Sequence, residues 1–339
     1  MPRETPNLQT HAEAAIEPEL PICDPHHHLW ERSPNVYLLD ELRDDLGSGH
    51  NVVFTVAVEC GYGYRKHGPE ELRPVGEVEF LEDAANRAAT DAQMKTRVAA
   101  AIVGFADLAL GDKVAEVLEA HQTASAARFR GIRYSTTWDA SGALRNEAPP
   151  GMLADAKFRV GFAWLDKLDL SFDAWAYHPQ LAEVADLARA FPKVTIILNH
   201  IGAPLGVGPY GGKRDQVFHA WSKGIAEVAQ CPNVVVKLGG VGSARSGYDW
   251  HERSTKPSYE ELARILKPYF EWCIGKFGAD RCMFESNFPV EKLANSYLRI
   301  WNAFKKITEN YSAAERAALF HDTACRVYRI TERPRSATR

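Results

Sequence analysis

Eight times along the 339 residues, a short run rich in Val, Ile, Phe and Ala is followed by a longer amphipathic stretch. The runs are PICDPHH at 21, NVVFTVAVE at 51, RVAAAIVGF at 97, RFRGIRY at 128, LDLSFDAW at 168, KVTIILNH at 193, NVVVKLG at 233 and RCMFES at 281. Between them lie helical patterns such as VEFLEDAANRAATDA and QLAEVADLARAF, with apolar residues three and four apart. A strand that is apolar nearly throughout belongs to a parallel sheet covered on both faces. Strand then helix, eight times over, predicts a (β/α)8 TIM barrel, a single α/β domain. A doubly wound open sheet is the competing fold, and no Gly-rich dinucleotide fingerprint follows any early run to favour it.

The connections differ on the two sides of the strands. Stretches after strands are long and rich in Gly, aromatic and charged residues, as in CGYGYRKHGPEELRPVGE, STTWDASGALRNEAPPG, IGAPLGVGPYGGKRD and GVGSARSGYDWHERSTKPS, whereas FPK and CPN precede strands. In a barrel this asymmetry puts the active site at the strands' C-terminal ends. Residues 1–20 are polar, hold Pro6 and Pro18 and read as a flexible arm. One barrel domain over 21–331 and a tail over 332–339 complete the division.

Composition removes several function classes. With 45% apolar and 25% charged residues and a formal charge of -4, the chain has no basic surface of the kind nucleic acid requires. No apolar run is long enough to span a membrane and no leader pattern opens the chain, so a cytoplasmic address is expected. Cys23, Cys60, Cys231, Cys273, Cys282 and Cys325 show no CxxC spacing, so neither disulfides nor a cysteine zinc knuckle are expected. No serine sits in GxSxG, and GVGPYGGK lacks P-loop spacing. A small-molecule substrate is the expected partner, with neither nucleic acid nor membrane, and homo-oligomer formation stays open.

The chemistry concentrates first in DPHHHLW. Side chains alternate along a strand, so His26 and His28 share one side and His27 takes the other. Two imidazoles facing a barrel mouth suit a divalent metal or an anionic transition state; hydrogen-bonded core histidines are the alternative. His27 is read as structural.

At this point the chain resembles the amidohydrolase-related TIM-barrel hydrolases, the group containing fuconolactonase, pyrone dicarboxylate lactonase and aminocarboxymuconate-semialdehyde decarboxylase. The resemblance runs from Ile22 to about Tyr328 and rests on DPHHHLW, FRGIRY, HPQLAEVADLARAFPKVTIILNHIGAP, NVVVKLGG and RCMFESNFPV in that order. It implies metal or substrate contact for His26 and His28, and metal ligation or carbonyl polarisation for His200, whose alternative is a strand cap with Asn199. It implies a further ligand at His178, which precedes a proline and equally reads as a loop residue. It implies a substrate-facing Arg133, with a buried ion pair as alternative. A zinc or manganese ion is thereby implied, and one departure bears on it. Where the family has an aspartate acting as general base after the eighth strand, this chain has Asn287, and a carboxamide accepts no proton near neutral pH.

Glu285 lies two residues earlier on the same face, one layer deeper, and is the replacement base; pairing with Lys237 or Arg133 is its alternative. Loop aromatics Trp30, Trp138 and Tyr248 are candidate substrate contacts, alongside Tyr62, Tyr64, Trp175, Tyr210 and Trp250. With Gly and Ser where the dicarboxylate lactonases carry an arginine, and Arg245 only further on, a bulky, less acidic substrate is expected. The leading reading is hydrolysis of a lactone by water attack on the carbonyl, with His200, Glu285 and Asn287 as the catalytic set. A metal-dependent nonoxidative decarboxylase and a non-catalytic ligand-binding barrel are the alternatives.

Overall fold

A computed structural model describes residues 13–331. The chain runs through β1 (Ile22–His27), a small antiparallel hairpin of β2 (Trp30–Arg32) and β3 (Asn35–Tyr37), and α1 (Leu39–Leu46). It continues through β4 (Val52–Val58), α2 (Val75–Thr90), β5 (Arg97–Gly104), α3 (Val114–Ala124), β6 (Phe129–Ser135) and α4 (Ala156–Lys167). Then come β7 (Ser171–Trp175), α5 (Leu181–Ala190), β8 (Ile196–Leu198), α6 (Arg214–Val228), β9 (Val234–Leu238) and α7 (Tyr259–Phe277). The last elements are β10 (Cys282–Phe284), α8 (Tyr297–Ile307), α9 (Ala313–Ala317) and α10 (Thr323–Val327).

The eight apolar runs are β1 and β4 to β10, which pair in parallel in chain order. The ring closes between its first and last strands: the Asn287 amide donates to the His26 carbonyl at 2.9 Å and the His28 amide to the Phe288 carbonyl at 2.8 Å. The expected (β/α)8 barrel is therefore the fold. Strand alternation sorts the apolar side chains into two populations. Ile22, Ile102, Phe172, Ile196, Val234 and Cys282 join the large cluster that includes the helices. Cys23, Phe54, Val56, Ile197, Val235 and Met283 form a second cluster inside the ring. Ala324, Val327, Tyr328 and Ile330 belong to that inner cluster, so α10 and the turn after it seal the barrel floor.

Two of the proposed divisions meet structure at their edges. Residues 1–12 of the arm and the tail 332–339 lie outside the described residues. Residues 13–20 are tied down against α8 rather than free: Asn302 bonds Ile16 N at 2.8 Å and the Ala14 carbonyl at 2.9 Å, and Lys305 Nζ donates to the carbonyls of Ile16 and Glu17. Their polar composition hid this, because the bonds are to backbone, which every residue carries. All six cysteines are free thiols.

Candidate active site

Strict alternation from Cys23 would turn His27 inward. An irregularity in the β1–β4 pairing between Asp24 and His27 shifts the phase by one residue, so Cys23, His26 and His28 all face the barrel axis. His27 turns outward and pairs with Thr55 Oγ1 at 2.9 Å, the structural role expected of it. Asp24, also outward, accepts from the Ser286 amide at 3.0 Å and the Tyr297 hydroxyl at 3.0 Å, anchoring the first strand to the end of the last.

Below the mouth lies a buried polar chain. Tyr328 on the floor donates its hydroxyl to Asp173, whose two oxygens both lie at 3.0 Å. Asp173 pairs with Lys237 Nζ at 2.7 Å, and Lys237 Nζ reaches His26 Nδ1 at 3.1 Å. Tyr328, Asp173, Lys237 and His26 are all fully buried. The His28 Nδ1 bonds the Val58 carbonyl at 2.8 Å. A carbonyl only accepts, so that nitrogen carries the proton and His28 Nε2, 3.2 Å from His26 Nε2, presents a lone pair. Burial holds His26 and His28 well below the usual imidazole range, reinforced at His26 by Lys237 and at His28 by Arg133.

His200 and Glu285 complete the layer. β8 stops at Leu198, and His200 and Ile201 take left-handed backbone angles, φ 53° and 49°. Such conformations persist only where surroundings enforce them. Here the His200 amide and its Nδ1 both bond Glu285 Oε1, at 3.2 and 2.6 Å, and Trp221 Nε1 holds the Ile201 carbonyl at 2.6 Å. Two glycines after β9 make room: a Cβ on Gly239 would lie 2.5 Å from Glu285 Cγ, and one on Gly240 2.1 Å from His200 Nδ1. Burial pushes His200 down, with Arg245 adding to it, and pushes Glu285 up to about 8. Glu285 bonds His200 and lies 2.9 Å from His26 Nδ1, and it is not paired with Lys237 or Arg133: Lys237 is taken by Asp173 and Arg133 by Glu59, at 2.7 Å each.

The layer opens into a cavity of about 1080 Å³ at the C-terminal ends of the strands. His28, Trp30, Arg133, Trp175, His200 and Asn287 line it. Glu285 and His26 are not part of its lining, and Glu285 is joined to it through the Oε1 bond to His200. Arg133 is both of the things expected of it, ion-paired to Glu59 and facing the cavity. Three candidates lie elsewhere. His178 Nδ1 accepts from the Leu205 amide at 3.4 Å and its ring packs on Tyr210, outside the histidine cluster. Trp138 does not line the cavity, and Tyr248 stacks on Trp250 and lines a separate 240 Å³ pocket with Arg214. Sequence cannot orient a loop ring, and these point away.

The expectation of a less acidic substrate also changes. Arg32, Arg133, Arg145 and Arg245 line the cavity against only Glu59 and Glu147. Arg245 lies over the Trp175 ring at 4.6 Å and has no carboxylate partner among the described residues. The buried Lys237–Asp173 pair escaped the sequence reading, although an inward Lys in VVVKL and an inward Asp in LSFDAW were the available signal, since charges in a barrel interior must be paired.

His26, His200 and Glu285 bring one donor atom each within 4.8 Å of one another. Glu285 Oε2 is buried without a hydrogen-bond partner, 2.9 Å from His26 Nδ1. Two nitrogens and a carboxylate oxygen form a donor set that fits zinc or manganese, and the orphaned oxygen is the atom such an ion would satisfy.

The amidohydrolase family model matches residues 23–330. The protein y4mH of Sinorhizobium fredii, uncharacterized, is 36% identical over 331 residues, 92% of this chain and 99% of that one. An L-fucono-1,5-lactonase of Burkholderia multivorans is 29% identical over 235 residues, 69% and 72% of the two chains. The crystal structure of a Burkholderia multivorans amidohydrolase with bound zinc superposes with a TM-score of 0.70 at 26% identity, covering 91% of this chain and 99% of that one. The barrel, the histidines at the ends of its first and sixth strands and the match across nearly the whole chain place this protein in the amidohydrolase family.

Proposed function

We infer that the protein hydrolyses a lactone, and that His200 takes the proton from the attacking water. The supporting observation is the Glu285–His200 pair. The carboxyl oxygen accepts the Nδ1 proton at 2.6 Å, which leaves Nε2 as the basic nitrogen of a ring that lines the cavity. Glu285 then orients the base and stabilises the imidazolium, a role one step removed from direct proton abstraction. Asn287, which lines the cavity where a carboxylate was expected, serves as a hydrogen-bonding group for the lactone carbonyl or its oxyanion. Arg133 and Arg245 supply positive charge for the same developing oxygen and for the carboxylate that ring opening creates. The lactonase relative supports a cyclic ester as substrate, and the arginines support one that carries or gains negative charge. His26, His200 and Glu285 would hold a zinc or manganese ion, with His200 then a ligand rather than the base, and such an ion would supply Lewis-acid polarisation.

The test is a panel of sugar and aryl lactones assayed with the native chain and His200→Ala, with metal content measured on each preparation. Turnover of a lactone that falls by about 10²–10⁴-fold in the variant is expected. An equal rate in the two proteins, or no lactone turned over by the native chain, overturns the reading.

A further inference from the structure

The barrel floor, opposite the cavity, holds a group of reactive side chains that hydrolysis does not use. His321 and Cys325 lie four residues apart, with Cys325 Sγ 3.5 Å from His321 Nε2. His321 Nδ1 lies 2.7 Å from Asp322 Oδ1, so the imidazole is held between a carboxylate and a thiol. On its inner side Cys325 packs against the buried cluster that contains Cys23. Cys325 is half-buried, and Cys23 is fully buried behind it.

A thiol in contact with an imidazole whose other nitrogen faces a carboxylate passes its proton to the ring, and the thiolate is the form that reacts. The electrostatics agree: the neighbouring Cys23 and His321 lower Cys325 to about 6, and Cys325, with Asp322 adding to it, raises His321 to about 9. Burial raises the thiols of Cys23, Cys60, Cys231, Cys273 and Cys282 instead.

We propose that Cys325 is a site of oxidation by hydroperoxides, with His321 as its proton acceptor and Cys23 as the resolving thiol. In the first step the Cys325 sulfur attacks a peroxide oxygen and the O–O bond breaks. The sulfur becomes a sulfenic acid, and the released oxygen takes the proton held by His321 and leaves as water or alcohol. In the second, the Cys23 sulfur attacks the sulfenic sulfur, an S–S bond forms, the S–O bond breaks, and hydroxide leaves as water with the Cys23 proton. The protein loses two hydrogens and one peroxide is reduced. The bond fastens α10, which leads to Tyr328, to β1, which carries His26.

The experiment treats the full chain under native conditions with hydrogen peroxide, alkylates the remaining thiols and maps peptides by mass spectrometry. The expected product is a peptide pair joined through residues 23 and 325, formed before any change at Cys60, the other half-buried thiol in the molecule. Cys23→Ser should stop at a sulfenic acid on residue 325 that dimedone traps, and His321→Ala should slow the reaction by about tenfold. Oxidation of Cys60 ahead of Cys325, or the same rate with and without His321, overturns the proposal. Retention of the native circular dichroism spectrum and melting temperature by the His321 variant separates slowed chemistry from an opened fold.

Discussion

Replacing Gly240 by alanine tests whether the placement of His200 governs turnover. The new Cβ would lie 2.1 Å from His200 Nδ1 and 2.3 Å from its Cγ, where ordinary contact begins at 3.4 Å. The ring or the glycine backbone must therefore retreat by about 1.3 Å. Gly240 also sits at φ 66°, a left-handed conformation that costs an alanine about 1–2 kcal/mol. Adding about 1–3 kcal/mol for overpacking gives a loss of roughly 2–5 kcal/mol in stability. A displacement of this size at the reacting centre lowers the rate by about 10². The assay pairs kcat and KM on the best lactone with thermal melts, and uses Gly275→Ala as control. Gly275 is an exposed position within α7 where a new Cβ meets nothing within 4 Å, so its variant should match or slightly exceed the native stability. A Gly240→Ala protein that melts lower yet keeps kcat within about threefold of native would refute the claim that the His200 ring position sets the rate.

Two further outcomes follow from buried groups. Tyr328→Phe removes the hydroxyl bonded to Asp173 and leaves the Asp173–Lys237 pair short of one donor; a loss of about 2 kcal/mol in a urea melt is expected, and unchanged stability counts against the buried chain. Glu77 accepts from the amides of Cys60, Gly61 and Tyr62 at 2.8, 3.2 and 3.1 Å, holding the loop that forms one wall of the cavity. Burial, with Glu59 adding to it, raises its carboxyl to about 7. A carboxyl raised on folding stabilises fully below its unfolded value of about 4.5, and that contribution fades as pH climbs through 7, up to about 3 kcal/mol. Native stability relative to Glu77→Gln should therefore decline between pH 5 and 8, and a constant difference would show that the group is not perturbed.

Fold and site were legible to different depths, for physical reasons. Near-continuous apolar runs alternating with helical patterns locate all eight strands because each run must bury both faces, a constraint written locally. His26 and His28 were readable for the same reason, at the end of a recognisable strand, whereas His200 and Asn287 stood out through the family resemblance. The phase shift in β1 was not needed to pair His26 with His28, since both lie beyond it. The partner of Glu285 was misjudged because Lys237 and Asp173 satisfy each other across the barrel, a pairing between β9 and β7 that no local pattern records. Trp138 and Tyr248 sit on long loops whose side-chain directions depend on distant contacts, and His178 opens a single helical turn between β7 and α5. Arg245 reaches the cavity by lying over Trp175, which comes from another strand. The paired glycines of KLGG did carry a signal, since adjacent glycines at a strand end mark a place where other groups come close.

The sealed floor has a consequence for biogenesis. A ribosome delivers β1, with its histidines, long before it delivers residues 323–330, and the inner cluster is incomplete until that last segment packs beneath it. Until then Asp173 lacks the hydroxyl of Tyr328 and the barrel interior stands open to water from below. A nascent chain stalled short of that turn would own every group that faces the cavity yet lack the packing beneath them.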